Sequence, residues 1–195
     1  MLAVLLSKYL SESNICCTCT AMPELETARL RLRYFTLDDF EDLFRLYSDV
    51  EVMKYLSPRS REQTQASLIK HIQQWQEHNL GMWAVVHKQS SKLIGRCGLG
   101  FLDNTHEVEL GYVLDKSYWN LGLGTEASIA TLNYGFLTIK LKRIVAIANP
   151  QNIASRRVIE KVGMKYEKLA YYYGQDVVYY AISQSEWQPD KALIG

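Results

Sequence analysis

The chain has 195 residues, 48% of them hydrophobic and 11% aromatic, enough for one well-buried domain and short for two. Its 22 basic and 21 acidic residues leave a formal net charge of +1, which excludes a nucleic-acid coat or a membrane-surface role built on overall charge. No stretch approaches the roughly 18 apolar residues of a membrane span, and the opening residues lack the basic flank of a signal peptide, so a cytoplasmic protein is expected.

Residues 1–22 share no pattern with the rest of the chain and are expected to be a disordered N-terminal extension, with residues 23–195 forming a single domain and Met22 an alternative start. Three of the four cysteines, Cys16, Cys17 and Cys19, crowd into that extension. Their CCxC spacing lacks the paired CxxC or downstream histidines of a zinc site, so free thiols and no metal are expected.

PELETARLRLR begins an alternating strand with Leu30, Leu32 and Tyr34 on one face. Thr36 with Asp39 predicts a helix cap, and Phe40, Leu43, Phe44 and Tyr47 follow at amphipathic helical spacing. Ser60 with Gln63 predicts a second cap, before Leu68, Ile72 and Trp75 on the buried side of a helix that ends before Gly81. The period then changes. MWAVVHK and LIGRCGLGFL read as strands joined around Gln89–Lys92, and EVELGYVL as a third, an antiparallel meander in which Cys97 is a small buried hydrophobe.

The run from Glu107 to Ala127 is a strand, a short polar loop, then glycines opening a helix whose Ile129, Leu132, Phe136 and Ile139 share one stripe. That order suits an anion cradle, because a glycine turn exposes free backbone N–H groups and the helix N-terminus adds partial positive charge. RIVAIA then reads as a strand, NIASRRVIEKV as a helix bounded by Gly163, and the regions near Lys165–Tyr172 and Val177–Ile182 as two further strands. Segregated antiparallel strands with interleaved helices predict an α+β sheet domain.

Gly122, Gly124 and Ala127 also spell the dinucleotide fingerprint G-x-G-x-x-A, but Asp115–Leu121 separate the glycines from their strand and IVAIAN carries no acidic residue for a ribose. A dinucleotide oxidoreductase is therefore a weak alternative. A phosphate loop fails because no G-x-x-x-x-G-K-S/T occurs.

The stretches LETARLRLR, VMKYLS, LIGRCGL, VELGYVLDKSYWNLGLGTEA and NPQNIASRRVIEKVGM resemble the GNAT acetyltransferase superfamily, and within it the branch of the ribosomal-protein N-terminal acetyltransferases, in consistent order over about Glu24–Met164. The resemblance implies the GNAT acyl-CoA acyltransferase fold, a mixed, mostly antiparallel twisted sheet of about seven strands with helices on both faces. It further implies that acetyl-CoA is the acyl donor and lies where EVELGYVL and RIVAIA splay apart. Its pantetheine would pair with the backbone around Tyr112, Val113 and Leu114, and its diphosphate with the amides of Leu121, Gly122, Leu123, Gly124 and Thr125. The family signature is Gln/Arg-x-x-Gly-x-Gly/Ala; here Trp119 stands at the first position and Asn120 at a frequent glycine, and the cradle survives because N–H groups hold the phosphates.

By the same resemblance Asn152 and Ser155 lie beside the cofactor, and Glu109, in a Glu-Leu-Gly-Tyr run, matches the frequent general base. Glu107 shares the face of Glu109 by the period-two rule and is the alternative. Many relatives carry a tyrosine seven residues after the asparagine as the acid for the leaving thiolate. This chain has Ile159 there, which leaves Ser155 as the substitute. Arg156, Arg157 and Lys161 form a basic helix face near the adenosine end, with either Arg156 or Arg157 a candidate phosphate contact, and the four histidines read as surface or packing residues.

The expected function is acetyl transfer from acetyl-CoA to a primary amine by direct attack in a ternary complex, with no metal, nucleic acid or membrane involved. The acceptor is a protein N-terminus, polyamine, amino acid or antibiotic-like amine, and the sequence does not choose among these. A catalytically silent acyl-CoA binding module is the alternative, kept by Ile159.

Overall fold

The computed structural model describes residues 23–189; the extension, its cysteines and the alternative start at Met22 lie outside the described residues. The elements are β1 (Leu25–Glu26), β2 (Leu30–Arg33), α1 (Phe40–Ser48), α2 (Arg61–His78), β3 (Met82–His87), β4 (Lys92–Phe101) and β5 (Val108–Leu114), then α3 (Leu123–Asn133), β6 (Arg143–Ala148), α4 (Ile153–Lys161), β7 (Lys165–Tyr172) and β8 (Gln175–Ser183). They form an eight-stranded sheet in the order β1-β2-β3-β4-β5-β6-β8-β7, antiparallel at every step except β5 to β6.

The eighth strand comes from LETARLRLR, which folds back on itself rather than running as one strand. Leu25 pairs with Leu32 and Glu26 with Arg31, because Thr27 clips the turn, its hydroxyl accepting from Leu30 N–H at 2.9 Å and its own N–H donating to Leu30 O at 2.9 Å. Both expected capping boxes form, Thr36 with Asp39 and Ser60 with Gln63. In α2 the buried stripe runs through Thr64, Leu68, His71 and Trp75, so His71 takes the inward position expected of Ile72.

Helices cover both faces of the sheet. Leu43, Leu46 and Leu68 of α1 and α2 pack on Ala84, Leu93 and Val113, while Leu123, Ala127, Leu132 and Ile159 of α3 and α4 join Trp83, Leu99 and Ile144 in the larger core. After Asn133 the α3 helix widens into a π-helical turn, Tyr134–Thr138, that seats Phe136 fully inside the core. Phe136→Ala is expected to cost about 3–5 kcal/mol in a denaturant melt, since transfer energy and the cavity left behind add.

Cys97 is a packed core residue as expected: burial pushes its thiol up to about 11 and its sulfur lies 3.3 Å from Thr131 Oγ1. No described helix is long and apolar enough to cross a membrane, and among the described residues no three His, Cys, Asp or Glu side chains converge as metal ligands.

Candidate active site

The middle of the sheet is split. β5 and β6 bridge only where Glu109 meets Val145, although β4 holds β5 at seven positions and β8 holds β6 at six. Which backbone groups of β5 face the gap follows from alternation along an antiparallel ladder. Asp115 N–H donates to Ile94 O at 2.7 Å, so Val113 also turns toward β4, and a Cβ on Gly95 would lie 2.2 Å from the Val113 oxygen. Tyr112 and Leu114 therefore turn their amides and carbonyls to the gap. The backbone groups of Val113, also expected at the cofactor, are taken up by the β4 ladder. The Leu114 carbonyl accepts from the Trp119 indole at 2.8 Å, so Trp119 braces the loop that leaves the strand.

That loop supplies the cradle. Asp115 accepts from Ser117 N–H to cap a short 3-10 turn, Lys116–Tyr118, and the chain then enters α3 through two left-handed residues, Asn120 (φ 60°) and Gly122 (φ 76°). Asparagine tolerates that conformation better than most side chains, which explains its place at a frequent glycine position. The first helical bond runs from Glu126 N–H to Gly122 O at 3.0 Å, leaving the amides of Leu123, Gly124 and Thr125 without an intrahelical acceptor. Gly124 permits a close approach, since a Cβ there would stand 3.2 Å from the Tyr112 ring.

A clamp that the sequence does not announce holds the cradle in place. Arg29 donates from Nη1 to Leu121 O at 2.8 Å and from Nε to Glu126 at 2.7 Å, and Thr27 Oγ1 adds a 2.6 Å bond to the same carboxylate. Burial works against the Glu126 charge, but these bonds hold its carboxyl below the usual range. The Glu126 carboxylate beside the glycine turn thus stays ionised and paired with Arg29. The signal available in the sequence was Arg29 in the alternating LRLR segment, where it read only as a strand residue.

Glu109 is half-buried on the opposite face of β5 from Tyr112, and burial pushes its carboxyl up to about 7 against the pull of a Tyr173 hydrogen bond and the Arg96 charge. Tyr173 belongs to the β7–β8 turn and adopts φ 50°, uncommon for an aromatic residue. Its hydroxyl donates to Glu109 Oε2 at 3.1 Å and accepts from Asp103 N–H at 2.7 Å, while Asp103 Oδ2 accepts from Tyr173 N–H at 3.2 Å. The sequence marks this segment as a turn, with nothing to say that it reaches back to β5. Glu107, the alternative base, is tied elsewhere, accepting from the Tyr179 hydroxyl at 2.6 Å.

Removing the Tyr173 hydroxyl takes away a bond that favours the ionised carboxylate. Tyr173→Phe is expected to raise the Glu109 pKa further, and the rising limb of kcat/KM against pH should move upward with it.

At α4, Asn152 is the helix cap, its Oδ1 accepting from Ser155 N–H at 3.1 Å. Ser155 lies beside the half-buried Tyr112 phenol, which burial raises and Ser155 draws down. The Tyr112 side chain thus links the cradle, through Gly124, to the start of α4. Ile159 is buried among core side chains. Of the basic face, Arg156 is committed inward, donating to the Tyr180 hydroxyl at 3.0 Å and to Pro150 O at 3.2 Å, while Arg157 is exposed.

The family described as Acetyltransferase (GNAT) domain matches residues 29–165. The uncharacterized N-acetyltransferase YnaD of Bacillus subtilis is 33% identical over 84% of this chain and 98% of its own length. The crystal structure of a GNAT-family acetyltransferase from Bacillus anthracis is 31% identical, with a TM-score of 0.73 over 84% of this chain and 100% of that one. A ribosomal-protein alanine acetyltransferase from Vibrio fischeri shares the fold at 21% identity, with a TM-score of 0.72 over 86% of this chain and 100% of its own. The chain belongs to the GNAT family of N-acetyltransferases, for which acetyl-CoA is the acetyl donor.

Proposed function

We propose that this enzyme transfers acetyl from acetyl-CoA to a primary amine by direct attack within a ternary complex, with Glu109 as general base. The observation that carries the reading is a carboxyl pushed up to about 7 at the one bridge where β5 and β6 part. A base with that affinity is half ionised near neutral pH and strong enough to matter.

In the proposed step Glu109 takes one proton from the ammonium, directly or through one water, the freed amine attacks the thioester carbon, and the second nitrogen proton passes to solvent as the amide forms. The C–N bond forms and the C–S bond breaks. Sulfur leaves as thiolate and takes a proton relayed from solvent through the Ser155 hydroxyl. The gap-facing amide of Tyr112 is placed to polarise the thioester carbonyl, with the Leu114 amide and the Tyr112 carbonyl for the pantetheine. Leu123, Gly124 and Thr125 offer amides to the diphosphate, Gly122 gives them room, and the exposed Arg157 serves the adenosine end. Leu121, whose carbonyl is held by Arg29, fixes the loop, and Asn152 sets the first turn of α4.

Membership of the ribosomal-protein N-terminal branch is supported by the motif order from Glu24 to Met164 and by the Vibrio fischeri likeness, which is one of fold. Burial of Ile159, where many relatives place an acid, favours a second reading, a silent acyl-CoA binding module. Release of CoA thiol from acetyl-CoA with a panel of amines decides. Turnover above the rate without acceptor is expected, and binding of acetyl-CoA without turnover on any amine would leave the silent module.

A further inference from the structure

On the α1–α2 side of the sheet, β4 and β5 lay out a recess with a chemical polarity of its own. Arg96 pairs with Val113, Gly98 with Gly111 and Gly100 with Glu109, so all six side-chain positions share one face. Above Gly100 a Cβ would meet only Met82 Cε at 3.9 Å. Above Gly111 it would meet Met82 Cε at 3.4 Å and Arg96 Nη1 at 3.8 Å. Over Gly98 the Gly81 carbonyl and the Met82 backbone close in, so the floor runs along Gly100 and Gly111 under the flexible end of Met82, with Glu109 at one end and the Arg96 guanidinium beside Gly111, two residues or roughly 7 Å along the strand. Arg96, Gly100, Glu109 and Gly111 each keep partial exposure, so the recess reaches solvent.

Among the described residues no carboxylate comes within ion-pair distance of the guanidinium, and Glu109 feels its charge only from across the recess. Its Nε is buried with no hydrogen bond, its Nη1 reaches only Met82 Sδ at 3.3 Å, and it lies 5.8 Å from the Tyr47 ring centre. Arg59 stacks on the same ring at 4.6 Å and bonds Ser67, and neither arginine forms an ion pair among the described residues. Beside them His71 is buried, bonds Tyr47 at 3.1 Å through Nε2 and leaves Nδ1 without a partner. Most other arginines of the fold have carboxylates: Arg29, Arg31, Arg33, Arg45, Arg61 and Arg143 all do. A half-buried cation left with a thioether and a ring is costly unless a ligand completes it.

We infer that the acceptor is an amino carboxylate: an amine that Glu109 deprotonates, joined by a few bonds to a carboxylate that Arg96 binds, with Arg59 adding positive charge behind it. The inference rests on the acetyltransferase reading of the same site. The glycine floor sets the span between the two groups, and the fork of the guanidinium matches a carboxylate bidentately. Polyamines are disfavoured by the same two arginines. The carboxylate belongs either to a free amino acid or to an acidic residue beginning a peptide, and both offer the same chemistry to Arg96.

The test uses the full chain, acetyl-CoA and matched acceptors: L-amino acids against their carboxamides, peptides beginning with Asp or Glu against Asn or Gln, and spermidine. The carboxylate member of a pair should have a kcat/KM about 30-fold or more above its amide, as expected for a charge-assisted pair. Arg96→Met should shrink that ratio to within about threefold and Arg96→Lys should restore part of it, with acetyl-CoA titration confirming that each variant is folded. A preference confined to the acidic peptides places the carboxylate on a peptide, and one confined to amino acids places it on a small molecule.

Equal use of acids and amides, a preference for spermidine, or a ratio unmoved in folded Arg96→Met overturns the inference while leaving the enzyme an acetyltransferase. If no acceptor releases CoA, the acetyltransferase reading fails separately. The recess is then tested by calorimetric titration of the CoA-bound protein with L-glutamate and with acidic peptide. Binding that is lost in Arg96→Met, or in Arg59→Met should the first variant not fold, supports it, and no binding overturns it.

Discussion

Glu109→Gln is expected to lose about 10²-fold or more in kcat at pH 7 while acetyl-CoA affinity stays near wild type. The size of the loss depends on the acceptor. A lysine-like amine of pKa about 10.4 is neutral in about one molecule in 2,500 at pH 7, whereas an N-terminal amine of pKa about 7.7–8.0 is neutral in roughly one in six to one in eleven. The first kind needs the base far more. Part of the loss should return as pH climbs toward the amine's own pKa, because solvent then removes the proton. Unchanged kcat across the pH range would make Glu109 a bystander.

The same variant carries a stability signature of definite sign. The Glu109 carboxyl stands at about 7 when folded against 4.5 unperturbed, so the fold favours its protonated form. That preference costs nothing below pH 4.5, where both states are protonated. Stability then falls as the unfolded chain ionises and levels off above the folded value near 7. Glutamine never ionises. Glu109→Gln is expected to melt higher than wild type above pH 7 and level with it near pH 4, and the reverse order in thermal melts would contradict the burial argument.

Gly122→Asp is expected to abolish acetyl-CoA binding measured by calorimetry while leaving the melting temperature within a few degrees. Position 122 is left-handed at φ 76°, a conformation that aspartate tolerates at a cost of about 1–2 kcal/mol, so the fold should survive. A Cβ there meets nothing closer than Arg29 Nη2 at 3.5 Å, so the side chain fits, and the new carboxylate at the mouth of the cradle also competes with Leu121 O and Glu126 for the Arg29 clamp. Like charge then opposes the diphosphate at the amides of Leu123, Gly124 and Thr125. Wild-type affinity in this variant would remove the glycine turn from the binding argument.

How much of the fold and the site was legible depended on the range of the interaction. Caps, period changes and the glycine turn are local, so Thr36, Ser60, the meander and the start of α3 could be read from a few neighbouring residues. The fold-back at Thr27 was not, because a four-residue clip looks the same as a continuing alternation until the pairing of Leu25 with Leu32 is seen. Arg29, Arg96 and Tyr173 were hidden for a further reason. Each acts on residues that lie far along the chain or on another strand: Arg29 holds Glu126, Tyr173 reaches Glu109, and Arg96 turns toward Gly111. A single sequence carries no mark of such meetings. That the backbone groups of Val113 face β4 was equally hidden, because periodicity gives the face of a side chain but not which edge of the strand its backbone groups serve.

The lone bridge between Glu109 and Val145 gives the sheet an unusual mechanical design. Two stiff plates, β1 to β5 and β6 to β8 with β7, meet at a seam that lacks most of its rungs. On the proposed reading the pantetheine arm supplies those rungs, so the donor acts as a temporary strand and completes a ladder that the polypeptide leaves open. Affinity for the donor and cohesion of the two plates then become one free energy, drawn down each time the product leaves and restored each time a fresh donor docks.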